Sequence, residues 1–355
     1  MERLASTLRR IGSLDGEAMQ AARARQNQLT KPRGALGVLE EISIKIAGIT
    51  GDPRPAPGRK AVIVMAADHG VVIEGVSLYP SEVTAQMVLN FLAGGAAINV
   101  LSRHAGAAVR VVDVGVAVPV EGEGLVSRRI RPGTANMAAG PAMSREEAVA
   151  ALEVGIEVAE EEIARDVALL AAGDMGIGNT TAASAISACI TGLDALEVTG
   201  KGTGIDERGL ERKVSVIRQA LEVNRPDPSD ALDVLCKVGG LEIAGMAGVM
   251  LAAAAARRPV LVDGFISAAG ALAAAALHPH APDFMLASHL SVERGHAVIL
   301  DRLGLCPIIQ ANMRLGEGTG AAMAFFMVDA SLKILAEMAT FDEAGVSGPE
   351  EASPH

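Results

Sequence analysis

Two turns in this chain set a carboxylate among glycines. One is Gly173-Asp174-Met175-Gly176-Ile177-Gly178-Asn179-Thr180-Thr181, and the other is Gly316-Glu317-Gly318-Thr319-Gly320. Each adjoins an Ala-rich helical pattern. Glycine lets backbone N–H groups approach a ligand closely, and a helix start presents unpaired donors to a phosphate. A carboxylate held beside such donors can act as a base on the part of the ligand that reacts. Together the turns point to an enzyme for a small phosphorylated substrate.

The first turn fits neither of the familiar nucleotide loops. Gly173-x4-Gly178-Asn179-Thr180 has the Walker A spacing, but Asn179 stands where the phosphate-binding Lys is required. Gly176-x-Gly178 is followed by Thr181 where the dinucleotide pattern needs its last small residue. What remains is a turn rich in N–H groups, with Thr180 and Thr181 placed to cap a helix. It either binds phosphate or uses glycine for close packing. Glu317 has two readings as well: a base in a glycine setting, or a solvated glutamate at a helix start with Arg314 as its nearest charge in sequence.

Other polar residues fall at the ends of apolar runs. Asp68, Asp113 and Asp263 could bind ribose hydroxyls or only cap loops, and His69 and His289 sit in similar places. His278 and His280 flank Pro279 in an expected surface loop. Lys201 and Lys213 flank the segment 202–206, where either could reach a phosphate or remain on the surface. No His/Cys/carboxylate spacing matches a metal site, and there is no Gly-x-Ser-x-Gly elbow. Neither a metal nor a cofactor is expected.

The elements that must position these residues alternate. Apolar runs at 61–67, 109–112, 167–172, 259–262 and 284–287 read as strands buried on both faces. Helical patterns lie near 82–102, 144–165, 180–191, 208–224, 241–256, 267–277 and 292–303. The expected fold is α/β, three-layered, with a mainly parallel Rossmann-like sheet covered by helices. Ligands then bind beyond the carboxyl ends of the strands, where the Gly and polar residues fall. Residues 1–50 read as amphipathic helix interrupted at Lys31-Pro32-Arg33-Gly34, and Pro53, Pro55 and Pro57 form a stiff connector. The stretch 317–340 reads as one long helix, and 341–355 as a mobile acidic tail.

Composition limits the function further. Half of the 355 residues are hydrophobic, yet there is no Trp, one Tyr and six Phe, so small aliphatic residues must fill the core. The net charge of −11, with no basic stripe, disfavours nucleic acid and anionic membrane surfaces. The N-terminal MERLASTLRR has no apolar signal region, and no apolar run approaches the length of a membrane span. Cys189, Cys236 and Cys306 lie far apart and read as buried reduced thiols of a cytoplasmic protein.

Seven motifs occur together. They are Ala66-Ala67-Asp68-His69-Gly70, Glu82-Val83-Thr84-Ala85-Gln86-Met87, the 173–181 turn, 202–206 with Lys213, Gly239-Gly240-Leu241-Glu242, Val262-Asp263-Gly264-Phe265, and Arg314-Leu315 leading into 316–320. In this order they closely resemble the nicotinate-nucleotide–dimethylbenzimidazole phosphoribosyltransferase family over about residues 5 to 340. The pattern departs at Asp174, where many members carry Glu.

The resemblance implies a homodimer whose chains each have a large α/β domain (60–305) and a small helical domain from both termini (1–59 and 306–340). It implies phosphoribosyl transfer from nicotinate mononucleotide to 5,6-dimethylbenzimidazole, which gives α-ribazole 5′-phosphate for the lower ligand of cobalamin. Glu317 is then the catalytic base. Asp174, Gly176, Ile177, Gly178, Asn179, Thr180, Lys213, Gly264 and Gly316 would hold the nucleotide and its phosphate. Ser77, Tyr79, Gln86, Met175 and Leu315 would wall the acceptor base.

One base suffices for this chemistry. The departing pyridinium nitrogen loses its positive charge and needs no proton, whereas the attacking benzimidazole must lose its N–H. Attack opposite the leaving group inverts C1′ from β to α. A non-catalytic nucleotide sensor, or the same chemistry on another azole, purine or phenol, stand as alternatives. The sensor has no use for an intact 316–320 motif.

Overall fold

Long apolar runs become strands with both faces covered. The computed structural model describes residues 1–202 and 204–348. Thr203 of the 202–206 motif and residues 349–355 of the expected tail lie outside the described residues. The strands are β1 (Arg59–Ala67), β2 (Ala107–Gly115), β3 (Leu125–Ser127), β4 (Val167–Met175), β5 (Val260–Val262) and β6 (Met285–Ala287). They form one parallel sheet in the order β3-β2-β1-β4-β5-β6. Only β3, a short edge strand, escapes the sequence patterning.

Alternate residues of β1 enter different layers. Ala61, Ile63, Met65 and Ala67 join a core with helices Arg145–Ala164, Asn179–Thr191, Leu241–Ala255 and Phe265–Leu277. Val62, Val64 and Ala66 join the opposite core with helices Glu82–Leu92, Ala97–Ala105 and Thr319–Glu337. Helices 145–164 and 241–255 almost touch along their backbones. A Cβ on Gly155 would lie 1.9 Å from the Gly245 carbonyl oxygen, and one on Gly248 would lie 2.0 Å from that of Leu152. Such contact fills space that aromatic side chains fill in other proteins.

The terminal helices Gly16–Gln28, Val38–Thr50 and Thr319–Glu337 share a third, small core of Ala22, Ile44, Ala47 and Leu335. Arg25 Nε ties them further by donating to the Leu335 carbonyl at 2.7 Å.

Several expectations are corrected. The helix expected over 82–102 is two helices, because Gly94 takes a left-handed φ of +75° and ends the first. The long helix begins at Thr319, with Glu337 its last residue, so Glu317 precedes it. Part of the expected tail is ordered: Phe341–Ala344 is a helical turn capped reciprocally by Thr340 and Glu343. Helical stretches 82–105 and 319–337 do reach the length and apolarity of a membrane span. Part of their apolar surface, including Phe91, Ile98 and Phe325, is buried in the core on that side of the sheet. The thiols are free but not buried; Cys189 and Cys236 are half-buried and Cys306 is exposed.

Candidate active site

The order β3-β2-β1-β4-β5-β6 reverses between β1 and β4, and a crevice opens beyond the carboxyl ends of the strands at such a point. A cavity of about 510 Å³ lies here, and both glycine-rich turns line it.

β4 runs further than the sequence suggests. Gly173 and Asp174 belong to the strand, and only 176–178 form the turn before the helix starts at Asn179. Gly178 is the N-cap, at φ +97°, so Thr180 and Thr181 lie inside the first helical turn rather than capping it. The Ile177 N–H donates to Thr84 Oγ1 at 3.1 Å and the Asn179 N–H to the Gly176 carbonyl at 3.2 Å. The N–H groups of Gly178 and Thr180 have no partner among the described residues, which leaves a donor pair at the positive end of a helix.

Glu317 sits between Gly316 (φ +83°) and Gly318 (φ +88°) and is itself left-handed at φ +64°. A non-glycine residue rarely adopts that conformation, and strain of this kind gathers at functional sites. The loop approaches β4 so closely that a Cβ on Gly173 would meet the Glu317 carbonyl carbon at 2.6 Å. The side chain is only 6% exposed, and its Oε2 has no partner among the described residues. Burial, aided by the charge of Asp263, pushes its pKa up to about 7 despite the Ile98 N–H. A carboxylate at that value ionises near neutrality and is then a stronger base than a solvated one.

Asp174 faces the cavity from the end of β4. Its Oδ2 accepts from Asn179 Nδ2 at 2.9 Å, while Oδ1 has no partner among the described residues. Burial first, then the nearby Asp263, Glu242 and Glu317, raises its pKa well above the usual carboxylate range. The hydrogen bond from Asn179 opposes that shift.

The cavity gathers Gly176, Ile177, Gly178, Asn179, Thr180, Gly264 and Gly316 with these two carboxyl groups. Ser77, Tyr79, Met175 and Leu315 line it too, on an apolar stretch with Val76, Val83 and Met87. Two expected residues stand elsewhere. Gln86 is exposed on helix 82–92 and does not reach the cavity wall. Lys213 is buried behind that wall, where its Nζ donates to Thr180 Oγ1 at 2.7 Å. Burial lowers its pKa to about 8, with Glu293 opposing the shift.

The strand-end acids are structural. Asp68 accepts from the Ala117 N–H at 2.7 Å and Asp113 from the Val116 N–H at 2.8 Å. Asp263 accepts from the Gly318 and Ala321 N–H groups at 3.1 and 2.9 Å. His69 pairs with Glu242 at 2.6 Å behind the 176–178 turn.

Sequence reasoning missed Ser291 and Glu293 in the wall, and placed His289 and Arg314 without giving them a role. Glu293 Oε1 accepts from the Gly202 N–H and Arg314 Nη1 donates to the Gly202 carbonyl, both at 3.0 Å. The signal for His289 was its position just after a strand. Ser291 lies in an irregular segment, and Glu293, read within the helical pattern 292–303, is the N-cap of helix Arg294–Leu303. Among the described residues no cluster of His, Cys, Asp and Glu could hold a metal ion.

Known proteins share this arrangement. The phosphoribosyltransferase family model matches residues 11–346. The nicotinate-nucleotide–dimethylbenzimidazole phosphoribosyltransferase of Chloroflexus aggregans is 60% identical over 354 residues, covering 99% of this chain and all of that protein. That of Desulforudis audaxviator is 58% identical over 348 residues, covering 98% and 99%. The crystal structure of CobT from Thermus thermophilus superposes with a TM-score of 0.90 at 51% identity, covering 93% of this chain and 99% of that one. The chain belongs to the nicotinate-nucleotide–dimethylbenzimidazole phosphoribosyltransferase family.

Proposed function

We propose that this chain transfers the phosphoribosyl group of nicotinate mononucleotide to 5,6-dimethylbenzimidazole, releasing nicotinate and forming α-ribazole 5′-phosphate. The names of its relatives supply the substrates. The observation that carries the mechanism is Glu317, a buried carboxyl whose Oε2 has no partner among the described residues and whose pKa is pushed up to about 7, lining the same cavity as the Gly178–Thr180 donor pair.

The 5′-phosphate docks on the Gly178 and Thr180 amides, with the Lys213 charge one hydroxyl behind them. Asp174 lines the same cavity, with its Oδ1 free to meet the ligand. The acceptor lies on the apolar wall formed by Met175, Leu315 and Tyr79, beside Glu317. Its bare ring nitrogen attacks C1′ as the pyridinium nitrogen leaves with the bonding pair. Glu317 takes the proton from the other ring nitrogen, so the azolium charge never has to persist in the cavity.

The chain works, on this reading, as a homodimer in the cytoplasm. Supporting the first, Met323 and Phe326 lie one turn apart on helix 319–337 and are 43% and 74% exposed. Supporting the second, its cysteines are unpaired.

The test is an acceptor assay with nicotinate mononucleotide, with and without 5,6-dimethylbenzimidazole, the products resolved by chromatography and mass. Acceptor-dependent nicotinate release with an α-ribazole phosphate peak is expected. Glu317→Gln should bind the nucleotide normally and turn over about 10²–10⁴-fold more slowly. Nucleotide binding without nicotinate release, whichever azole, purine or phenol is supplied, would leave a sensor as the better reading.

A further inference from the structure

His289 follows β6 and is 2% exposed, yet it forms part of the cavity wall beside Gly264. Its ring is tightly held: a Cβ on Gly320 would stand 1.9 Å from Nδ1. Nδ1 contacts Ser288 Oγ at 3.1 Å, and that same oxygen donates to the Asp263 carbonyl at 3.1 Å. A carbonyl cannot donate, so the single hydroxyl proton is committed to Asp263. Toward the imidazole Ser288 can only accept. On that assignment Nδ1 is the donor toward Ser288, and Nε2, with no partner among the described residues, is free to accept.

We propose that His289 Nε2 accepts a hydrogen bond from a ribose hydroxyl of the nucleotide and so helps the site select ribonucleotides. A bare imidazole nitrogen repels phosphate and carboxylate oxygens and pairs with O–H groups. The position agrees: Gly264 and His289 line the same cavity as the Gly178–Thr180 donor pair and Glu317, which the ribose must span on the functional reading adopted above, on which this inference rests.

Two substitutions separate the ring nitrogens. Asn at 289 can keep the contact with Ser288 but cannot reach the place of Nε2. Gln reaches that place with an amide oxygen. The probes are nicotinate mononucleotide, its 2′-deoxy and 3′-deoxy forms, and nicotinamide mononucleotide, each followed by equilibrium binding and by kcat/KM with 5,6-dimethylbenzimidazole.

The unaltered enzyme is expected to lose about 10-fold on one deoxy form, the scale of one neutral hydrogen bond. His289→Asn should lose about as much on nicotinate mononucleotide and no longer distinguish that deoxy form. His289→Gln should recover part of the distinction. If His289→Asn still penalises both deoxy forms as the unaltered enzyme does, or if it changes only the preference for nicotinate over nicotinamide, the proposal is wrong. If the unaltered enzyme neither binds nor turns over nicotinate mononucleotide, the functional reading itself fails, and the two failures are thereby distinct.

Discussion

Asp263 fixes Glu317 without entering the cavity. Its two carboxylate oxygens take the Gly318 and Ala321 N–H groups, two of the first four after the glutamate, and hold the start of helix 319–337 onto the end of β5. Asp263→Asn retains one acceptor oxygen and presents an amide N–H₂ to the other donor. We expect a stability loss of about 1–3 kcal/mol by denaturant titration. We also expect kcat to fall while KM for the nucleotide changes little. A change confined to KM would mean that Asp263 serves the nucleotide directly.

The raised pKa of Glu317 fixes the sign of two pH effects. The base must be ionised, so kcat should rise with pH along an acid limb centred at about 7. Stability should move the other way. A folded value above the ordinary 4.5 means the folded state holds its proton more tightly, so this group's contribution is complete below 4.5 and is lost as pH rises to about 7. Glu317→Gln should abolish the acid limb and flatten that part of the stability curve. An acid limb retained in the residual activity of the variant would assign it to another group.

Gly173 is the residue that lets the two turns meet. Alanine there would put a methyl carbon 2.6 Å from the Glu317 carbonyl carbon and 2.7 Å from the Gly318 nitrogen. Backbone must then shift, at a cost of about 1–3 kcal/mol. Gly173→Ala should therefore lower both the melting temperature and kcat. Wild-type kcat in a fully folded variant would show that the contact does not position the base.

Lys213 acts through Thr180. Lys213→Met keeps the buried stem and removes the ammonium behind the phosphate donors. KM for the nucleotide should rise about 10-fold, with KM for the acceptor nearly unchanged. In the unaltered enzyme the same KM should rise as pH passes about 8, where the lysine loses its charge. Equal effects on both substrates would count against this route.

The layered α/β fold is legible in the chain, because strands covered on both faces need unbroken apolar runs and leave them there. So is the place where chemistry gathers: 173–181 and 316–320 owe their character to glycine, which local backbone geometry demands. What those residues can do was set by tertiary packing. Glu317 sits in a glycine loop that reads as solvated, and burial against Gly173 and Asp263 is what lifts its pKa. Lys213 reads in sequence as either a phosphate contact or a surface lysine, and it is buried, because the helix Glu207–Asn224 packs it behind Thr180. His289 and Glu293 join the wall from the connection between β6 and helix Arg294–Leu303, brought there by parallel crossovers linking residues more than a hundred positions apart. Propensity and pattern act over a few neighbours in sequence, whereas a pKa, a free Oε2 or a bare Nε2 depends on which distant groups exclude water from it.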